Sequence, residues 1–383
     1  MNDFNFYNPT QIVFGKDRLG DLDTLIPQNA RVLVTYGGGS VKKFGTLDKV
    51  LSGLKDRTVF EFGGIEPNPR YDTLMKAVEV VKKEKIDFLL AVGGGSVMDG
   101  TKFISLASSY NGEASDILYR KASGIVKTIP LGTVVTLPAT GSEMNSGGVI
   151  CIGDSKLAFG NPLVFPKFSF LDPTLTFSLP ETQVANGVVD TFVHVCEQYV
   201  TYPVDGRFQD RTAEGILQTL IEIGKGTIED RENYDLRANL VWCATMGLNG
   251  LIGSGVPQDW ATHVIGHEIT AMYGVDHGKT LAVVMPSLWN VMRKEKEAKL
   301  LQYGERIFGI TEGSVDERID MAIEKTREFF EGLGIKTRLS DYGIDKEGAE
   351  KLVKALEAHG FTRLGEKGSI TIEVSRKILE GAV

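Results

Sequence analysis

Residues 86–100 read IDFLLAVGGGSVMDG, in which a nearly continuous apolar run is followed by three glycines and a serine. Such a run without alternation is typical of a strand buried on both faces, as in a parallel sheet covered by helices. Residues 31–40, RVLVTYGGGS, repeat the arrangement, and residues 59–62 and 128–137 supply further strands. Helical periodicity follows each glycine segment, so the chain alternates strands and helices. This alternation predicts an α/β domain built on a parallel sheet.

The pattern changes after residues 179–180, Leu-Pro, where long helical periodicities replace the alternation. Proline is well tolerated at the start of a helix, so Pro180 is compatible with a helix beginning there. We therefore expect a Rossmann-like α/β domain over residues 1–180. An all-α domain follows over residues 181–383.

Composition excludes several classes of protein. Of 383 residues, 42% are hydrophobic and 24% are charged, and 42 Lys+Arg against 50 Asp+Glu give a net charge of −8. With no basic block, neither nucleic acid nor an acidic membrane surface is an expected partner. The apolar stretch 240–256 is interrupted by polar residues and glycines, which favours a buried helix over a membrane span. The start lacks the pattern of a secretory signal, and the three cysteines lie far apart, so we expect a cytoplasmic enzyme without disulfides.

The glycine segments predict a site for a phosphate. Glycine lacks Cβ, so an anion can approach the backbone closely and meet the positive end of the following helix. Ligands of open α/β sheets bind at the carboxyl ends of the strands. Neither segment matches the Gly-x-Gly-x-x-Gly fingerprint, and tight turns without a ligand are the alternative. We expect Asp99 in the first turn of the helix that follows the second glycine segment, where it would cap that helix or accept a hydrogen bond from a ligand.

Four of the five histidines accompany one aspartate in a pattern that suits a metal. Asp190 precedes His194 by four residues, His263 precedes His267 by four, and His277 follows ten residues later. On a helix, residues four apart share one face at about 5–6 Å between Cβ atoms. Asp190 with His194, His263 and His277 would leave a bound Fe²⁺ or Zn²⁺ with net positive charge, able to stabilise charge on a substrate oxygen.

His267 has three interpretations. It shares a helix face with His263, which permits a fifth ligand, a proton relay beside the metal, or a core histidine bonded to a carbonyl. We favour the relay, which makes His267 the candidate catalytic residue. Together with the glycine segments, the metal predicts hydride transfer between a substrate carbon and a nicotinamide. Residues 1–180 would then form the dinucleotide-binding domain, and residues 181–383 the domain that binds metal and substrate.

Six segments resemble the iron-containing (group III) alcohol dehydrogenases over essentially the whole chain, and most closely their aldehyde reductase and butanol dehydrogenase branch. They are TYGGGSVKK (35–43), GGIEPNP (63–69), GGGSVMDG (93–100), LPATGSE (137–143), VANGVVD (184–190) and PQDWATH (257–263). The resemblance implies the architecture shared with dehydroquinate synthases, a homodimer, and the same four metal ligands, with His267 near metal and cofactor. It also implies a set of cofactor-binding residues: Gly38, Ser40, Asn68, Gly95, Ser96, Asp99, Thr136, Asn145 and Lys156. We expect Lys156 in an exposed loop, where a solvated lysine without a ligand is the alternative.

Residue Gly39 bears on the choice of cofactor. Similar proteins that prefer NAD look to carry an acidic residue at this loop position. Its carboxylate would accept a hydrogen bond from the ribose hydroxyl and repel a 2′-phosphate. Glycine leaves room, and Ser40, Lys42 and Lys43 favour added negative charge. We therefore predict a preference for NADP(H).

The sequence as a whole predicts a metal-dependent oxidoreductase that transfers hydride between NADP(H) and small aldehydes or primary alcohols. A glycerol-dehydrogenase-like polyol dehydrogenase and a dehydroquinate-synthase-like lyase are alternatives of similar architecture but different ligand sets. A non-catalytic metal- or nucleotide-binding protein, with structural histidines, is the third.

Overall fold

The computed structural model describes residues 1–383 and divides them into two compact units. The α/β unit comprises Tyr7–Leu179 with Glu232–Val241. The helical unit comprises Met1–Phe6, Pro180–Arg231 and Trp242–Val383.

Eight strands belong to the α/β unit: β1 (Gln11–Phe14), β2 (Arg31–Tyr36), β3 (Thr58–Phe62), β4 (Phe88–Gly93), β5 (Leu131–Val135), β6 (Gly147–Ile152), β7 (Ser155–Gly160) and β8 (Phe168–Leu171). Six of them form one sheet in the order β1-β8-β5-β4-β2-β3, and every neighbouring pair is parallel. β6 and β7 form a separate antiparallel hairpin. The parallel sheet predicted from the apolar runs is confirmed.

Helices cover both faces of this sheet. Along β4, Leu89 belongs to one apolar core and its neighbour Leu90 to another, as the alternation of side chains across a strand requires. The first core includes Leu74 and Val78, buried four residues apart on a helix, and the second includes Val50. The unit's helices are α1 (Leu22–Leu25), α2 (Ser40–Lys43), α3 (Thr46–Leu54), α4 (Tyr71–Lys83), α5 (Gly95–Ser109) and α6 (Ser115–Leu118).

Both glycine segments lie at the carboxyl edge of the sheet. β2 ends at Tyr36 and α2 begins at Ser40, whereas β4 ends at Gly93 and α5 begins at Gly95. Because β2 and β4 are neighbours and parallel, the two turns face the same edge.

The helical unit is built from long helices, and the division of the chain falls inside one of them, α9, after Val241. They are α7 (Glu181–Tyr199), α8 (Arg207–Glu229), α9 (Tyr234–Gly247), α10 (Ala261–Tyr273), α11 (His277–Val291), α12 (Glu297–Phe308), α13 (Val315–Gly332), α14 (Lys346–Ala358) and α15 (Ile372–Gly381). The helical unit also contains one antiparallel pair of short strands, β9 (Arg363–Leu364) and β10 (Ile370–Thr371). The helical character predicted for the C-terminal part is confirmed. None of the helices has the length and apolar character that crossing a bilayer requires.

Candidate metal centre and cofactor edge

Helix α7 carries the first two predicted ligands on one buried face. Asp190 and His194 lie one turn apart, and the two residues are 4% and 6% exposed. The distance from His194 Nδ1 to Asp190 Oδ1 is 3.4 Å. Every residue of α7 from Gly187 to its end is buried, so this carboxylate and imidazole lie inside the unit.

Two other helices bring imidazoles to the same carboxylate oxygen. His263, in the first turn of α10, has Nε2 3.6 Å from Asp190 Oδ1. His277 is the first residue of α11, and its Nε2 lies 3.8 Å from that oxygen. The ligand atoms of Asp190, His263 and His277 all lie within 4.8 Å of one another, a spacing that can hold one metal ion. His194 lies beside this group, with its ring centroid 4.4 Å from that of His263.

Unpaired polar atoms point to an ion among these side chains. Asp190 Oδ1, His194 Nδ1 and His263 Nε2 are buried and accept or donate no hydrogen bond. A buried polar atom without a partner costs free energy, and three that converge are not expected without a ligand. A divalent cation would satisfy all three, so the residues fit a metal.

The two buried histidines at the site, His194 and His263, have pKa values shifted in opposite directions. Burial lowers the pKa of His194 to about 4, so this ring is neutral near pH 7. Burial also disfavours a charged His263, but the carboxylates of Glu197 and Asp190 outweigh it and raise its pKa to about 9. Burial likewise opposes the charge on Asp190, yet the surrounding histidines hold the pKa of its carboxyl well below the usual value.

Metal affinity should therefore depend on pH. In the metal-free protein His263 carries a proton on Nε2 below pH of about 9, and a metal must displace that proton. The dissociation constant for Co²⁺ should fall by about tenfold from pH 7 to pH 8, since one proton is released per ion. Competition with a chelator of known affinity at the two pH values measures this. An affinity that does not change with pH would contradict a protonated His263.

A glycine lets α11 approach α7. A Cβ at Gly278 would lie 2.6 Å from the carbonyl oxygen of Asn186, closer than real Cβ atoms approach. Because Gly278 follows His277 directly, this close contact sets the distance between His277 and Asp190.

Gly278→Ala should weaken metal binding by about tenfold or more, since overpacking of this size costs roughly 1–3 kcal/mol. Gly215→Ala in α8 is the control, because its Cβ would meet nothing within 4 Å. The control should keep the metal affinity and gain up to about 1 kcal/mol in free energy of unfolding. Equal metal affinities for the two variants, measured by calorimetric titration, would contradict this role of Gly278.

His267 lies next to the metal group. Its ring centroid is 5.0 Å from that of His277 and 6.3 Å from that of His263. The side chain is half-buried, one turn along α10 from His263. Its role as a proton relay stays a prediction.

The first glycine turn has open space where a phosphate would approach. A Cβ at Gly38 or Gly39 would meet no atom within 4 Å. Gly39 has a φ of 101°, a conformation that side chains disfavour. Lys42, three residues on, is partly engaged, with Nζ 3.0 Å from Glu61 and 4.9 Å from the centre of the Tyr36 ring. Glu61 therefore offsets some of the positive charge expected from Lys42.

The remaining predicted cofactor residues lie around the second turn. Gly95 and Ser96 begin α5, and Ser96 Oγ accepts a hydrogen bond of 3.3 Å from the backbone of Asn68. Thr136 follows β5 directly, and its N–H donates to Gly93 at 3.0 Å. These residues thus gather at the carboxyl edge of the sheet.

Asp99 does not lie in the first turn of its helix, as the sequence predicted. Because α5 begins at Gly95, Asp99 falls in the second turn and caps nothing. Its carboxylate accepts from Ser142 Oγ at 2.6 Å and from the Val149 N–H at 2.9 Å, and burial raises its pKa. Lys156 does not lie in an exposed loop either; it is half-buried on β7, opposite Cys151.

Sequence reasoning missed Lys102, which is fully buried one turn beyond Asp99. Its ammonium donates to Ser142 Oγ, Asn145 Oδ1 and the Gly147 carbonyl at 2.8–2.9 Å. Burial lowers the pKa of Lys102 to about 8. Lys102 therefore fixes the side chain of Asn145, and its position three residues after Asp99 was the available signal.

Glycine turns at the edge of a parallel sheet, together with an Asp-His cluster on buried helices, define a metal-dependent dehydrogenase that uses a dinucleotide. The sequence model of the iron-containing alcohol dehydrogenase family matches residues 9–173. The family model of the Fe-containing alcohol dehydrogenase C-terminal part matches residues 184–363. The chain belongs to the iron-containing alcohol dehydrogenase family.

Individual relatives agree with this assignment. The chain is 60% identical over 387 residues to the NADPH-dependent aldehyde reductase YqhD of Escherichia coli, covering 100% of both chains. It is 41% identical over 390 residues to the probable NADH-dependent butanol dehydrogenase 1 of Bacillus subtilis, again over 100% of both. The crystal structure of Escherichia coli YqhD superposes with a TM-score of 0.98 at 59% identity, covering 100% of this chain and 99% of that one.

Proposed function

We propose that this protein reduces small aldehydes to primary alcohols with NADPH, in the manner of the aldehyde reductase and butanol dehydrogenase branch. The observation that carries the proposal is the convergence of Asp190, His194, His263 and His277, whose buried atoms lack other partners at three of the four residues. The similarity to a relative named as an NADPH-dependent aldehyde reductase supports the substrate class.

These four residues would hold Fe²⁺ or Zn²⁺, and the family's name favours iron. The metal supplies a Lewis acid for the charge that develops on the substrate oxygen, and the nicotinamide supplies the hydride. The ring centroid of Trp260 lies 5.3 Å from that of His263 and 6.0 Å from that of His194, and we propose its indole as an apolar wall of the substrate site. We propose that His267, half-buried beside His277, passes a proton to the substrate oxygen; the 5.0 Å between the two ring centroids supports this role.

The cofactor proposal is NADP(H), although relatives differ in this property: one is named as NADPH-dependent and another as NADH-dependent. Gly38 and Gly39 leave open space, and residue 39 carries no carboxylate to repel a 2′-phosphate. The other residues proposed to bind cofactor are Ser40, Asn68, Gly95, Ser96, Asp99, Thr136, Asn145 and Lys156.

The remaining proposals concern organisation. We propose that residues 1–180 act as the cofactor domain and residues 181–383 as the metal domain; the main division between the compact units lies after Leu179. A cytoplasmic homodimer is proposed as well. The homodimer is proposed from the resemblance to the family.

The function is tested by adding NADPH and butanal to protein loaded with Fe²⁺ or Zn²⁺ and following nicotinamide absorbance. We expect turnover with butanal that exceeds oxidation of glycerol with NADP⁺. Faster turnover of glycerol would favour a polyol dehydrogenase. No turnover with several aldehydes and either metal would contradict enzymatic function.

A further inference from the structure

One buried carboxylate in the helical unit is assigned no role by the sequence pattern. Glu197 lies on α7 seven residues after Asp190, so the two share a helix face. It is only 3% exposed. We propose that Glu197 is a positioning residue that selects the ring tautomer of His263 and thereby prepares Nε2 of that ring for the metal. The inference rests on the proposed metal site.

Glu197 contacts the start of α10 at three points. Its Oε2 bonds to Nδ1 of His263, and its Oε1 accepts the backbone N–H of Thr262 at 2.7 Å. Its backbone carbonyl accepts the N–H of Asp259 at 2.9 Å. One residue of α7 therefore fixes both the backbone and the ring that carry a predicted ligand.

The first turn of α10 needs such a partner. The helix starts after Trp260, which has a left-handed φ of 66° and makes no side-chain cap. The N–H groups of a first turn have no partner within their own helix, and a negative charge there is favourable. Glu197 supplies both an acceptor and the charge from a neighbouring helix.

The bond to Nδ1 decides which ring nitrogen is available. A carboxylate can only accept, so Nδ1 of His263 must carry the hydrogen. Nε2, 3.6 Å from Asp190 Oδ1, is then the nitrogen whose lone pair is available to a metal ion held between the two atoms. Outer partners of this kind orient metal-binding histidines and raise their basicity.

Glutamine cannot replace Glu197 in both bonds. The two carboxylate oxygens accept from two donors, Thr262 N–H and His263 Nδ1–H, whereas an amide has one acceptor oxygen. In Glu197→Gln the amide NH₂ must face one of them. If it faces His263, Nδ1 becomes the acceptor and the hydrogen moves to Nε2, which blocks the metal. If it faces Thr262, two donors oppose each other.

The test compares metal-free wild type, Glu197→Gln and Glu214→Gln for Co²⁺ affinity by chelator competition. Glu214 is a suitable control because it is 7% exposed in the same unit and accepts from Tyr199 rather than from a histidine. We expect Glu197→Gln to bind Co²⁺ about 10–100-fold more weakly, and the control to match wild type. Wild-type affinity in Glu197→Gln would overturn the role of Glu197, whereas no affinity in the wild type would overturn the metal site itself.

A spectroscopic measurement separates tautomer selection from general support of the fold. Histidine-selective ¹⁵N spectra of the metal-free protein at alkaline pH should show a hydrogen-bonded Nδ1–H on His263, since no metal then dictates the tautomer, and with five histidines the signal is readily assigned. Glu214→Gln should keep this signal. Glu197→Asp, which retains two acceptors, should keep it too and lose less affinity than the glutamine variant. The Glu197→Asp variant also tests tautomer selection if Glu197→Gln does not fold. Loss of the signal in Glu197→Asp at wild-type affinity would overturn the proposal.

Discussion

His277→Ala is expected to remove metal retention and catalysis together. His277 begins α11 with Nε2 3.8 Å from Asp190 Oδ1, so alanine deletes one of the nitrogens that surround this oxygen. Loss of a ligand should cost more than loss of an outer partner, so metal affinity should fall by more than the roughly 10–100-fold expected for an outer partner. The rate should fall by roughly a thousandfold, because Lewis-acid stabilisation contributes several kcal/mol. Metal analysis after gel filtration and a steady-state assay measure the two effects.

His359→Ala provides the matched control for this experiment. His359 lies in the same unit, and its Nδ1 contacts Glu268 at 2.8 Å rather than the metal group. This variant should retain both metal and activity. Unchanged metal content in His277→Ala would contradict its assignment as a ligand.

Gly39→Asp should reverse much of the preference for NADPH. A carboxylate about 5 Å from the 2′-phosphate repels it by about 3 kcal/mol at an effective dielectric of about 20, which corresponds to about a hundredfold. The same carboxylate accepts from the 2′-hydroxyl of NADH. We therefore expect the ratio of kcat/KM for NADPH to that for NADH to fall by about two orders of magnitude.

Gly39→Ala separates the charge from the backbone in this experiment. Gly39 has a φ of 101°, so any side chain strains the turn. Alanine shares that cost and has no charge, so both cofactors should weaken while their ratio stays close to that of the wild type. The same ratio in both variants would contradict the assignment of residue 39 as the determinant of cofactor choice.

The sequence predicted those strands and helix faces that are determined by residues close together in the chain. The apolar run before Gly93 became the buried interior strand β4, and the run before Gly37 became β2. The four-residue spacing of Asp190 and His194 placed them on one face, as helix geometry requires.

Features that depend on contacts between distant segments were not accessible to the same reasoning. The helical periodicity after the first glycine segment is divided between α2 and α3 by Gly45, which adopts a φ of 74°. Lys156 was misplaced because the β6–β7 hairpin has a weak sequence signal. The bond of Glu197 to His263 joins residues 66 positions apart, and only the spacing of Asp190, His194 and Glu197 on α7 hinted at it.

The most direct test is a stoichiometric titration of metal-free protein with Fe²⁺ under anaerobic conditions, with NADPH-dependent reduction of butanal recorded at each addition. The Asp190 site predicts that activity rises in proportion to bound Fe²⁺ and reaches a plateau at about one ion per chain. Full activity in the metal-free protein, or activity that does not follow occupancy of the site, would contradict the account.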